Sequence, residues 1–420
     1  MALPSFARTG WFIIVGCFVV TLLAVGPAIA VVGVFFLPLI KAFGWSHGQV
    51  ARIAAANMLA TGLLSPVAGW LVDRIGARRV MSIGLVVFGT GYIGAARTHS
   101  LWPMVAMWGL AGAGGAATGR VPIMVLMVEW FKERAGSAAG IAGAGVSFGM
   151  MLAPPLVTML IARAGWRAAT LALAIPILLI ALPVVLLTVR SRPPSVDEPR
   201  LAQQPIELPG LELGPAIHTG AFWLVLLAEC LFMCANLAVV VNLIIYVVEL
   251  GYSPQAAAWM FSLLTLIGAP GTIVVGWLID RWTSRRMLMG TCFLLAFGII
   301  SLMLAQSPYI HGWGVTGCVM VWGTAAGSFG TFLPLLIADT LGLRRLGTLS
   351  GLVLFIATFG TAMGPVMAGH IYDRTGSYAP AFGVALVLCL AAALMLWLVR
   401  PAEGRDVVPR PEAVAAATEV

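Results

Sequence analysis

The chain has 420 residues, 60% of them apolar and only 10% charged, with a mean hydropathy of +1.01 and a formal net charge of +8. Soluble domains carry about 25% charged residues, so this composition excludes a water-soluble globular protein and points to lipid as the solvent. The basic excess is spread over short segments between apolar runs, which excludes a nucleic-acid-binding patch.

Twelve apolar runs, long enough at roughly 20 residues to cross a bilayer, follow in chain order. They lie near 11–39, 50–72, 80–96, 101–128, 137–162, 168–189, 221–248, 255–279, 287–306, 312–338, 348–371 and 379–399. The first is too long for a removable signal and lacks a small-residue cleavage pattern, so it reads as the first span. Trp11, Trp45, Trp102, Trp166, Trp223, Trp313 and Tyr378 fall at span ends, where an interfacial belt places them. A polar, Pro-rich stretch at 191–218 separates the sixth run from the seventh and reads as a cytoplasmic linker. The expected organisation is a six-helix bundle over 1–190, the linker over 191–218, a second bundle over 219–400 and a cytoplasmic tail over 401–420.

With both ends inside, the inner segments hold 17 of the 24 Lys and Arg residues and the outer segments six. That bias fixes the orientation by the positive-inside rule, and the short loops and tail suggest a bacterial inner membrane. The six cysteines all lie in apolar runs and form no C-x-x-C pair, so they read as packing residues.

The chain repeats itself. Gly69-Trp70-Leu71-Val72-Asp73-Arg74 to Arg79 recurs as Gly276-Trp277-Leu278-Ile279-Asp280-Arg281 to Arg286, an offset of 207 residues. The same offset carries Gly44-Trp45-Ser46 onto Gly251-Tyr252-Ser253. An offset of 211 carries Gly136, Gly140, Gly149 and Pro154 of the fifth span onto Gly347, Gly351, Gly360 and Pro365 of the eleventh. Parallel halves of this kind mark an alternating-access carrier, and small residues permit close, rocking helix contacts.

The two G-x-x-x-D-R loops resemble the loops between the second and third and between the eighth and ninth helices of the major facilitator superfamily. Trp130 to Gly140, Gly364-Pro365 and Gly369 to Tyr378 are similar to the monocarboxylate transporter and oxalate/formate exchanger branch. The resemblance implies an all-α membrane protein of twelve transmembrane helices in two pseudo-symmetric six-helix bundles. It also implies loops that act as inner gates, latched in the outward-open state. That branch places a substrate-binding arginine in the eighth helix; Thr272 holds the register here, so an anion site must be built differently.

Arg120 is the basic residue well inside a span, where a charge costs about 2.5–3.5 kcal/mol on insertion scales and must face a cavity or a partner. It is a candidate carboxylate anchor, sharing a helix face with Ala113, Ala116, Ala117, Met124 and Met127; alternatively it bonds carbonyls of the first span and organises its own bundle. Glu229, in the seventh span, is a candidate proton acceptor, or else pairs with a local basic group. Asn236, seven residues on, falls on the same face and is a candidate cavity residue with Thr272. Glu129 and Asp339 occupy equivalent ends of the fourth and tenth spans and are expected to pair with Arg78 and Arg285. Asp73 and Asp280 are expected to accept from exposed N–H groups of the eleventh and fifth helices. With Arg74 and Arg281 these acids and arginines form the expected gate.

No Walker loop, metal spacing or nucleophile–base pair is present, so neither ATP hydrolysis, a cofactor nor enzymatic chemistry is expected. The reading is a secondary carrier of a small organic anion of monocarboxylate type, moved with a proton or by exchange. An exporter of hydrophobic drugs or metabolites is the alternative, and a transport-dead membrane sensor a third class that the twin gate loops disfavour.

Overall fold

A computed structural model describes residues 5–190, 210–305, 317, 321–325 and 328–399. Most of the linker and the whole tail expected from the sequence lie outside the described residues, as do Trp313 and much of the tenth span. The described chain is helical. In the first half it forms α1 (Ser5–Val20), α2 (Gly26–Ala30), α3 (Val32–Phe43), α4 (His47–Ile75), α5 (Ala77–Arg97), α6 (Leu101–Thr118), α7 (Arg120–Phe131), α8 (Ala135–Pro176) and α9 (Leu182–Thr188). In the second half it forms α10 (Leu213–Ile217), α11 (Gly220–Val240), α12 (Leu243–Glu249), α13 (Pro254–Arg281), α14 (Ser284–Leu304), α15 (Ser328–Leu341), α16 (Leu346–Thr375) and α17 (Ala379–Leu398). Among the described residues nine helices are long and apolar enough to cross a membrane.

Several runs that read as single spans are interrupted. The first passes through a π-helical turn at Thr21–Val25 and changes direction slightly at Val31. The fourth breaks at Gly119 (φ −83°, ψ −143°), so that α6 ends and α7 begins inside it. The seventh stops at Val240 and restarts at Leu243. α8 joins the fifth and sixth spans across a kink at Gly165.

The duplicated G-[WY]-S has a local physical role in both halves. Gly44 (φ 68°) ends α3 in the left-handed region, which costs a residue without Cβ nothing, and Ser46 then caps α4 by accepting from Gln49 N–H. Gly251 (φ 95°) and Ser253, which accepts from Ala256 N–H, repeat this stop and start ahead of α13. The sequence repeat is thus a repeat of helix boundaries, and it sets equivalent helices at equivalent positions.

Within each half, glycines on the long helix let a neighbour's backbone come into contact. Gly145 and Gly149 of α8 face Phe18 and Leu22 carbonyls, and Gly360 and Gly364 of α16 face Cys230 and Cys234 carbonyls of α11. Between the halves the seam is built twice. α4 packs on α16 through Gly62 against Thr358, Ser65 against Gly351 and Gly69 against Gly347; α13 packs on α8 through Gly268 against Ser147, Thr272 against Gly140 and Gly276 against Gly136. The contacts are tightest at the end bearing the two loop signatures, here termed the inner end. Gly33 and Gly369 at the outer end have nothing near their Cβ directions.

Each loop signature is also tied to the last helix of its own half. Arg78 Nη2 donates to the Leu186 carbonyl, and Arg285 Nη1 donates to the Val399 carbonyl. A cation at a helix C-terminus satisfies an orphan carbonyl and the helix dipole together.

Because a Cβ at Gly69 or Gly276 would strike the carbonyl of Gly347 or Gly136, Gly69→Val and Gly276→Val are expected to force the inner ends of the halves apart. Gly290, with nothing near its Cβ direction, is expected to accept Val unchanged. Spin-label distances between the inner ends of α4 and α16 read the difference.

Candidate functional site

The inner seam carries two latches of one design. Asp73, in the last turn of α4, accepts from Gly347 N–H (3.0 Å), Thr348 N–H (2.9 Å) and the Thr348 hydroxyl at the start of α16. Asp280, in the last turn of α13, accepts from Gly136 N–H (2.7 Å), Ser137 N–H (2.8 Å) and the Ser137 side chain at the start of α8. A carboxylate on free N-terminal amides satisfies orphan donors and opposes the positive end of the helix dipole. These are the amide partners that the sequence led one to expect.

Two arginines of the expected gate stack on tryptophans. Arg74 lies over the Trp70 ring at 4.1 Å and Arg281 over the Trp277 ring at 3.8 Å, each one helical turn from its indole. The charges that act on Asp73 and Asp280 are Arg345 and Arg134, each two residues before the glycine that its latch grips. They are related by the offset of 211 that relates those glycines, and the sequence reading missed them because it sought cations only inside the loop signature. Asp339, near the end of α15, accepts from the Ser284 hydroxyl; Glu129 lies two residues before the end of α7.

Above the latches, Arg120 and Glu229 meet across the two halves, with Arg120 Nη1 3.8 Å from Glu229 Oε1. The Arg120 side chain is 42% exposed and that of Glu229 is 1% exposed, so the acid belongs to the protein interior and the guanidinium to a space beside it. At 3.8 Å the two attract without a direct hydrogen bond. Arg120 is the first residue of α7, so the Gly119 break sets a helix N-terminus at mid-span, and the continuous face shared with Ala113, Ala116 and Ala117 does not form. Discontinuous helices whose N-termini face the centre are a recurrent way for carriers to receive an anion.

Arg120, Val121, Glu229, Leu333, Pro334, Ile337, Ser350 and Leu354 line one small pocket. Two of the lining polar atoms, Glu229 Oε2 and Ser350 Oγ, are buried and have no hydrogen-bond partner. Ser350 was not singled out from the sequence. A serine in an apolar helix carries no signal of its own until its neighbours are known.

Asn236 and Thr272 do not line this pocket. Asn236 Oδ1 accepts from Trp322 Nε1 (3.0 Å) within the second half, although it shares a helix face with Glu229. The Thr272 hydroxyl donates back to the Gly268 carbonyl (2.8 Å), and its backbone meets Gly140 in the seam. Among the described residues no group of His, Cys, Asp or Glu is placed to hold a metal ion.

A chain of this fold, with paired latches at one end of two like halves, is a multi-pass membrane transporter. It belongs to the Major Facilitator Superfamily, whose family model matches residues 17–365. It is similar to monocarboxylate transporter 12-B of Danio rerio, at 24% identity with 94% of this chain and 88% of that protein covered. It is also similar to monocarboxylate transporter 12 of Rattus norvegicus (26%; 91% and 83%) and monocarboxylate transporter 13 of Bos taurus (26%; 94% and 90%). In fold it resembles the proton:xylose symporter XylE, with a TM-score of 0.71 at 15% identity over 98% of this chain and 99% of that one. The human organic anion transporter MFSD10 gives a TM-score of 0.67 at 18% identity over 94% and 100%.

Asp73→Ala removes three hydrogen bonds to a charged acceptor, each worth about 1.5–3 kcal/mol in favourable geometry. The variant is expected to shift the protein towards a form open at the inner end, and Asp280→Ala to do the same at the other latch. Labelling of a cysteine at position 65, where Ser65 is buried in the seam against Gly351, by a hydrophilic thiol reagent should accelerate at least roughly tenfold; an unchanged rate in both variants removes the gating role.

Proposed function

We propose that this protein carries a small organic anion of monocarboxylate type by alternating access, with Arg120 as the carboxylate anchor and Glu229 as the proton-accepting partner. The observation that carries this reading is the Arg120–Glu229 pair, one member from each half, at 3.8 Å beside a small pocket. A guanidinium grips a carboxylate bidentately and is always charged. With the anion on Arg120, Glu229 loses its counter-charge and takes up a proton in its place, so the site stays near neutral through the crossing. Buried charge at mid-membrane is costly, and this exchange keeps it constant.

The names of the relatives support a monocarboxylate. The Asp73 and Asp280 latches then serve as the inner gate, holding the halves together at that end while solute enters from the other. The segments 1–190 and 219–400 are the moving bodies, 191–218 is the connector and 401–420 the tail. The bias of Arg and Lys towards the inner segments supports cytoplasmic termini, and the short loops support a bacterial inner membrane.

In reconstituted vesicles, counterflow of radiolabelled lactate, pyruvate, oxalate and acetate tests the substrate class, and accumulation of none of them removes it. Arg120→Ala is expected to lower kcat/KM by at least roughly thirty-fold, the cost of truncating one member of a close charge pair at about 2–5 kcal/mol. Arg120→Lys should fall between, because it keeps the charge and loses the fork. Glu229→Gln should retain counterflow and lose the acceleration produced by an imposed pH gradient; a wild-type rate that ignores that gradient sinks the proton role.

A further inference from the structure

The starts of α8 and α16 differ at one polar position beside the pocket. Gly136-Ser137-Ala138-Ala139-Gly140 opens α8, and Gly347-Thr348-Leu349-Ser350-Gly351 opens α16, so Ser350 stands where the first half has Ala139. Both positions are buried, at 4% and 1% exposure. Several buried hydroxyls in the spans turn back on their own helix: Ser65 to the Thr61 carbonyl, Thr118 to Gly114, Thr272 to Gly268 and Thr340 to Leu336. Ser350 makes no such bond, and it lines the same pocket as Arg120 and Glu229. Glu229 Oε2, in that pocket, is likewise without a partner.

We propose that Ser350 and Glu229 hold one O–H group between them in the Arg120 pocket, making Ser350 a third polar member of the transport site. The chemistry of the donors specifies this guest. A guanidinium only donates, a carboxyl oxygen that carries no proton accepts whether or not the other oxygen is protonated, and a hydroxyl does both. A guest O–H that donates to Glu229 Oε2 and accepts from the Ser350 hydroxyl satisfies both idle atoms at once. A bound water and the hydroxyl of a 2-hydroxy acid share this chemistry. Ser350 also lies three residues beyond Gly347 on α16, so a guest held there bears on the helix whose start Asp73 grips. Apolar neighbours Leu333, Ile337 and Leu354 complete the wall and give the guest no competing polar partner.

The inference rests on the substrate reading above, and two measurements keep the failures of the two apart. In purified protein without solute, the infrared carboxyl bands of Glu229 are assigned by their loss in Glu229→Gln. Ser350→Ala is expected to shift those bands when the guest is water. In vesicles, the ratio of glycolate to acetate uptake is expected to fall about tenfold in Ser350→Ala when the guest is the solute's own hydroxyl, the worth of one buried hydrogen bond. Unshifted bands together with an unchanged ratio overturn the proposal. If the wild type carries neither acid, the substrate reading fails by itself and the infrared bands alone decide Ser350. Because the first half already has alanine at this position, Ser350→Ala is expected to fold, which a thermal melt and the yield in membranes verify.

Discussion

Two aspartates reach the backbone of the opposite half only because glycines let the chains touch. Asp73 and Asp280 each grip a helix N-terminus, and the neighbouring pairs Gly69 with Gly347 and Gly276 with Gly136 remove the side chains that would hold those helices apart. In the apolar surroundings of a membrane, lipid tails supply no drive for helices to associate. Close packing and satisfied polar groups must do so instead. The inner closure of this carrier depends on that combination. A latch of this kind is strong enough to hold yet discrete enough to release, since it consists of a few hydrogen bonds on a single helix end.

The pocket is a consequence of the same closure. With the inner ends drawn together, α7 of the first half faces α11, α15 and α16 of the second, and Arg120 comes within 3.8 Å of Glu229. The break at Gly119 contributes twice: it starts a new helix at the site, and it frees Arg120 from the face it would have occupied on a straight helix. Buried Glu229 and half-exposed Arg120 then form a charge pair that spans the two halves.

The two halves are alike in their latches and unlike in their centre. Arg134 and Arg345, Ser137 and Thr348, and the indole-stacked Arg74 and Arg281 all follow the duplication. Arg120, Glu229 and Ser350 do not. The duplication therefore accounts for the paired seams, while the polar groups of the pocket arose outside it.

The helical membrane class, the duplication and the amide partners of Asp73 and Asp280 were legible in the sequence, because they are written in composition and in spacing along single helices. Arg120 and Glu229 could each be picked out as a charge in an apolar span, but nothing in the sequence joined them. Their meeting depends on the break at Gly119 and on how one half sits against the other, and both are decided by contacts between residues far apart in the chain. For the same reason Asn236, on the expected face, turned to Trp322, and Thr272 turned to its own helix, while Ser350 went unnoticed. Periodicity fixes which way a side chain leaves its helix; only packing decides what it finds there.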